Sequence, residues 1–166
     1  MKKYVNTLLN TEPDQTELIS NFDLYKYFGK DLPIVLSTDF VSKDINELVE
    51  NDFKSSVILI KGDFSNHWVL LSKINGNYEY FDSYGHSYKE DKELKDFFKN
   101  IPITFNKIRF QKMAPDVNTC GKHVAMRLLC LLCFKMDLKM FQRFMKSLKR
   151  EFGGDYDNQV EIFVKL

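Results

Sequence analysis

Four residues have the types needed to run acyl chemistry on a carbonyl: Cys120, His67, Asp82 and Gln111. Cys120-Gly121 stands at the mouth of a long apolar run, Val124 to Phe134, and polar residues precede it. If that run is a helix, the thiol sits at its N-terminus, where the helix dipole and unpaired backbone N–H groups stabilise a thiolate. Cys130 and Cys133 lie inside the run and read as structural, buried cysteines. His67 can take the thiol proton, hold it as an imidazolium and return it to a leaving amine. Asp82, in Phe81-Asp82-Ser83-Tyr84-Gly85, can accept from the imidazole N–H and fix its tautomer. Gln111 can offer its side-chain NH₂ to a developing oxyanion, beside the backbone N–H of Cys120. Gly121 would let a substrate backbone approach closely. Asn118 is the substitute donor if Gln111 stands too far from Cys120.

Each of these residues also has a plainer reading. His67 could be a satisfied histidine at a strand end, and Asp82 a turn cap, since Asp-Ser-Tyr-Gly is a good turn sequence. Two other histidines compete for the role of base. His123 follows Cys120 by one helical turn, where it could shape the cleft or touch the backbone; His86 lies in a turn and could face solvent. Cys120-x-x-His123 with His67 and Asp82 supplies zinc-ligand types, but no second half-site accompanies them. No metal and no cofactor is expected.

The elements that must position these residues follow from local patterns. Ser56-Val-Ile-Leu-Ile60 reads as a central strand, 61–66 as a loop, and His67 to Ile74 as the next strand. Asn75-Gly76 supplies two positive-φ residues for a tight hairpin turn, and Asn77 to Asp82 returns. With that turn, Ile74 pairs with Asn77 and His67 would pair near Tyr84, so Asp82 is a diagonal neighbour on the same face. Earlier, Pro13 near Glu17 suggests a short helix capped by Thr11 or Asn10, and Ser42 a capped helix to about Asn51. Leu94, Phe97 and Phe98 sit at helical spacing within 88–100, predicting one amphipathic surface helix. Residues 103–111 alternate as an edge strand, and 112–119 read as a loop. A buried helix is expected over 120–134 and a second over 137–152, stopped by Gly153-Gly154. That second helix carries a basic stripe, Lys139, Arg143, Lys146 and Arg150, usually a solvated face. Val160 to Val164 could add a last strand.

At 166 residues the chain is read as one domain, 1–166. Fifteen Phe and eight Tyr can bury much area per residue. A net charge of +1 excludes strong global attraction to nucleic acid, though not a local basic face. No apolar stretch is long enough for a membrane helix, so no membrane partner is expected. Three cysteines at unhelpful spacing do not make a disulfide scaffold, which points to an intracellular, reduced protein.

The order His67-Trp68, then Phe81-Asp82-Ser83-x-Gly85, then Gln111, then Cys120-Gly121 resembles the adenain-type cysteine proteases. This clan holds the adenovirus maturation protease and the ubiquitin-like-protein proteases. The resemblance covers residues 55 to 135. It implies an α+β fold, with a central mixed or antiparallel sheet flanked by helices and the nucleophile at a helix N-terminus. The implied activity is a thiol endopeptidase working through a thioester. Trp68 would then pack beside the catalytic pair and screen it from water. The step from Gln111 to Cys120 is longer than the family's usual one, and an insertion in 112–119 could absorb it. A transglutaminase-like enzyme would have its cysteine before its histidine, which this order contradicts.

Compact size and the run Thr119-Cys-Gly-Lys-His123 look most like the maturation proteases of double-stranded DNA viruses and virus-like mobile elements such as virophages. The polypeptide substrate would then be a capsid or core precursor, cut by a monomer in the host cytoplasm or viral factory and packaged in the virion. A nucleic-acid or peptide activator is a further implication of the resemblance. The rival within the clan removes ubiquitin-like proteins from their targets. The rival outside it is a non-catalytic protein-binding module, with an ordinary, unreactive Cys120.

Overall fold

The computed structural model of the chain describes residues 15, 17–62 and 65–164. Its centre is a hairpin. Asn75 and Gly76 take φ of 49° and 80°, the two positive values that match a two-residue turn to the twist of its strands. They join β3 (Asn66–Ile74) to β4 (Asn77–Asp82), and the ladder runs from Ile74 opposite Asn77 to Val69 opposite Asp82. β2 (Ser55–Lys61) lies antiparallel on the other side of β3 and sets Ile60 opposite His67. β1 (Ile34–Leu36) pairs parallel with β2, and β5 (Ile103–Phe105) parallel with β4. The fold is α+β: a mixed five-stranded sheet in the order β1-β2-β3-β4-β5, flanked by helices.

Both faces of the sheet are covered, which is why its middle strands read as continuous apolar runs. Val57, Trp68, Leu70 and Phe81 alternate onto one face, against α4 (Cys120–Phe134), α5 (Leu138–Phe152) and α6 (Tyr156–Phe163). Ile58, Val69, Leu71 and Tyr80 point to the other face. There they meet a 3-10 turn at Ser37–Ser42, α2 (Ile45–Val49) and α3 (Lys92–Phe97). The basic residues of α5, Lys139, Arg143, Lys146 and Arg150, are exposed, while on its other side Leu138, Phe141, Met145 and Leu148 are buried and Phe152 is half-buried.

Local chemistry moved several expected boundaries. The first described helix is α1 (Asn21–Phe28), beyond the Glu17 region, because Ser20 and Asp23 form a reciprocal capping box. Thr11, Asn10 and Pro13 lie outside the described residues. Asp44 is the cap of α2, two residues after Ser42. Residues 88–100 form two pieces rather than one helix. A capping box at Ser87–Glu90 makes a 3-10 turn, and Asp91 then starts α3 afresh. The tail is helical: Asp155 caps α6 through Asn158 N–H, and Val160 and Ile162 are buried on that helix, not on a strand.

The expected edge strand 103–111 stops at Phe105 because Asn106 turns inward. Its side chain accepts from the Asp82 N–H at 2.9 Å and donates to the carbonyls of Asp82 and Ile108. One fully buried amide thus stands in for the strand partner that β4 would otherwise lack at Asp82. Asn106→Ala leaves those backbone groups unpaired and should lower the unfolding free energy by about 2–4 kcal/mol. Lys146→Ala on the exposed stripe should change it by less than about 0.5 kcal/mol in the same urea titration.

Candidate active site

The hairpin register and the start of α4 meet at one end of the sheet. Asp82 pairs with Val69 and lies diagonally across from His67, and His67 Nε2 sits 2.9 Å from Asp82 Oδ1. Cys120 lies near enough to the same imidazole to favour its protonated form. Asp82 is buried and fixed from below: its Oδ1 also accepts the Tyr84 N–H at 2.7 Å, and its backbone is held by Asn106. Burial works against the His67 imidazolium. The bond to Asp82 and the interactions with the Asp82 and Cys120 charges outweigh it and raise the His67 pKa from 6.5 to about 9. The arrangement groups a thiol, an imidazole and a carboxylate, the set that nucleophilic thiol chemistry requires.

Cys120 is the first residue of α4, so its backbone N–H and those of Gly121 and Lys122 have no acceptor within the helix. Thr119 does not cap them, because its hydroxyl donates to Asp157 instead. Asp157 also accepts from His123 Nε2 at 3.0 Å and from the Lys112 N–H at 2.9 Å. Burial disfavours its charge, but these bonds prevail and hold its pKa below the ordinary carboxylate value. His123 is therefore buried beneath the helix start, tied to α6 and tilted against the Phe110 ring, rather than lining the cleft or meeting Cys120 as a co-ligand. Among the described residues no group of three or more His, Cys, Asp and Glu side chains is arranged to hold a metal ion.

His67, Trp68, Tyr84, Gln111, Asn118 and Cys120 share the lining of a cleft of about 780 Å³. Its other walls come from Leu18 to Asn21 and from Ile34 to Leu36. Trp68 is buried beside His67 and donates from Nε1 to the Ile19 carbonyl at 3.0 Å. Asn118 gives its backbone N–H to the Gln15 carbonyl at 2.7 Å. Gly121 does not open to a ligand. A β-carbon there would come within 2.6 Å of Ile19 Cβ, so the space above the glycine is filled by the chain's own N-terminal segment. Gln111 reaches the cleft despite the long loop, but its amide is engaged by Ser83, Tyr84 and Val117. Cys130 is buried as expected, and burial pushes its thiol up to about 11. Cys133, expected to be buried, is exposed. His86 is half-buried and lies against Tyr84, their ring centroids 5.6 Å apart.

Ile19, Tyr84, Asn106 and Asp157 build the site and carried no motif of their own. Only Tyr84 could have been noticed, as the variable position between Ser83 and Gly85.

No family model matches the chain. It is 24% identical over 151 residues to "Uncharacterized protein V9" of Sputnik virophage, an alignment covering 78% of this chain and 84% of that protein. Among solved structures, a chain described as "Crystal structure of the de-sumoylating protease" superposes at 14% identity and a TM-score of 0.34, across 97% of this chain and 76% of the other. An overlap that low assigns neither fold nor activity. Among the described residues no helix is long and apolar enough to cross a membrane.

Two measurements check this geometry. In a proton NMR titration the His67 ring should stay protonated through neutral pH and titrate near 9, and Asp82→Asn should lower that value. A histidine held protonated by the fold contributes stability in full below its ordinary 6.5, and that contribution is lost as the pH rises through about 9. Separately, Gly121→Ala should destabilise by about 1–3 kcal/mol, since the clash is with a β-carbon that cannot swing away.

Proposed function

We propose that the chain is a cysteine endopeptidase that hydrolyses peptide bonds through a thioester, acting on viral capsid or core precursors. The observation that carries this reading is the His67–Asp82 hydrogen bond beside Cys120, with the sulfur on an uncapped helix N-terminus inside the same cleft. In this mechanism the Cys120 thiolate attacks the scissile carbonyl carbon. Charge moves to the carbonyl oxygen, which faces the N–H groups of the first turn of α4 and the Gln111 side of the cleft. Collapse of the intermediate expels the amine, protonated by His67, and leaves a thioester. Neutral His67 then takes a proton from water as it attacks the thioester, releasing the acid and restoring the pair. Asp82 keeps the imidazole oriented and offsets its charge throughout.

The cleft suits an extended polypeptide. Leu18, Tyr25, Ile34, Leu59 and Trp68 offer apolar surface in the cleft that Cys120 lines. The viral setting draws support from the virophage relative. The enzyme acts as a monomer in the infected cell and is carried into the particle.

The test incubates wild type, Cys120→Ala and His67→Ala with virophage capsid and core precursors and with ubiquitin-like fusion proteins, with and without DNA. Wild type should cut the precursors at defined internal bonds. Cys120→Ala should abolish cleavage, and His67→Ala should lower it by on the order of 10²–10⁴-fold. Cleavage of the fusions alone would transfer the reading to modifier removal. No Cys120-dependent cleavage of either substrate would leave a protein-binding module.

A further inference from the structure

Resting on the reading of Cys120 as nucleophile, we propose that the Tyr84 hydroxyl is the side-chain hydrogen-bond donor to the oxyanion, with Gln111 behind it as a positioning residue. The reason lies in the bonds Gln111 already makes. Its Oε1 accepts from Ser83 Oγ at 2.8 Å, and its Nε2 donates to the Val117 carbonyl at 3.0 Å and to Tyr84 Oη at 3.1 Å. A primary amide has two N–H groups, and both are spent. Turning the amide over would press its oxygen against the Val117 carbonyl, so the assignment is fixed by that neighbour. Gln111 is only 1% exposed, and its own N–H is bonded to the Ser83 carbonyl. Swinging it toward a substrate would take from the Val117 carbonyl the donor it now has.

Tyr84 is placed differently. Its hydroxyl oxygen accepts from Gln111, which leaves the hydroxyl proton itself, and the described residues offer that proton no acceptor. The ring is held against His67, centroids 4.7 Å apart and planes 26° from parallel, and it lines the same cleft as Cys120. An N–H donated into a phenol oxygen polarises its O–H and strengthens it as a donor. Burial first, then the negative charges of Cys120 and Asp82, raise the Tyr84 pKa, so the phenol keeps its proton and senses charge at the sulfur.

In the step itself, the Sγ–C bond forms and the carbonyl π pair moves onto oxygen. Tyr84 donates a hydrogen bond to that oxygen without losing its proton. The pair returns as the leaving group departs, and the same donor serves again when water attacks the thioester. Tyr84 touches the reacting atoms; Gln111 acts through it.

The test separates reactions at Cys120 that form an oxyanion from one that does not. Acylation by p-nitrophenyl acetate passes through a tetrahedral oxyanion, whereas alkylation by iodoacetamide is a direct displacement at carbon. Both rates are measured at Cys120 in wild type, Tyr84→Phe, Gln111→Met and the double variant. Tyr84→Phe should slow acylation at least about tenfold, toward the 10²–10³-fold cost of losing one oxyanion donor, and change alkylation by less than about threefold. Gln111→Met should slow acylation too, and the double variant should be no slower than the worse single one, as for two groups acting as a unit. Slower acylation in Gln111→Met with none in Tyr84→Phe would make Gln111 the direct donor and overturn the proposal. An equal fall of both reactions in Tyr84→Phe would make its role structural and also overturn it. If wild type shows neither reaction at Cys120 above a free thiol, the nucleophile reading itself fails and takes the proposal with it.

Discussion

The two-residue turn at Asn75-Gly76 holds β3 and β4 in a register that puts Val69 opposite Asp82 and leaves His67 one diagonal away. Side chains on a strand alternate faces, so a slip of one residue would send Asp82 to the opposite face from His67. The hydrophobic pattern forbids that slip: on β4 it would also exchange Phe81 with Tyr80, which belong to cores on opposite sides of the sheet. The His67–Asp82 pair is thus set by the same constraint that sorts the core.

The third member arrives by a different route. Helix α4 must be placed along its axis as well as against the sheet. Arg127 does this, buried with its guanidinium 2.7 Å from Glu79 on β4 and over the ring of Phe141. Glu79 also accepts the Leu138 N–H at the start of α5, which joins both helices to the strand that carries Asp82. At the other end, Asp157 gathers Thr119, His123 and the Lys112 N–H. Lys122 pairs with Glu161 and Glu17. The first turn of α4 is therefore clamped between α6 and the segment around Ile19, and Cys120 is presented from a rigid base.

What could be read from sequence was what local physics decides. Asn-Gly fixed the hairpin; an apolar run behind a polar loop gave α4; Asp137 and Gly153 bounded α5. The reading failed where a distant partner decided the outcome. Residues 106–111 alternate like a strand, but Asn106 spends its side chain on Asp82. Val160 to Val164 has strand composition, yet the Asp155 cap and the cores beneath α6 make it a helix. Cys133 lies in an apolar run but on the face of α4 turned to solvent. Gly121 matched a motif whose expected occupant is a substrate, and Ile19 takes that space from more than one hundred residues away. Gln111 has the right side chain at the right wall, but its neighbours, invisible in the sequence, use its donors.

The central claim is that Cys120 owes its reactivity to His67, and the chain carries its own control. Cys133 is exposed, whereas Cys120 is 6% exposed. The most direct measurement is the rate of iodoacetamide labelling at each cysteine, resolved by mass mapping, across pH in wild type and His67→Ala. Near pH 6 the buried Cys120 should react faster than the exposed Cys133, and that advantage should vanish without His67. Labelling of Cys120 that never exceeds Cys133, or that is unchanged in His67→Ala, would contradict the thiolate–imidazolium pair and the peptidase built on it.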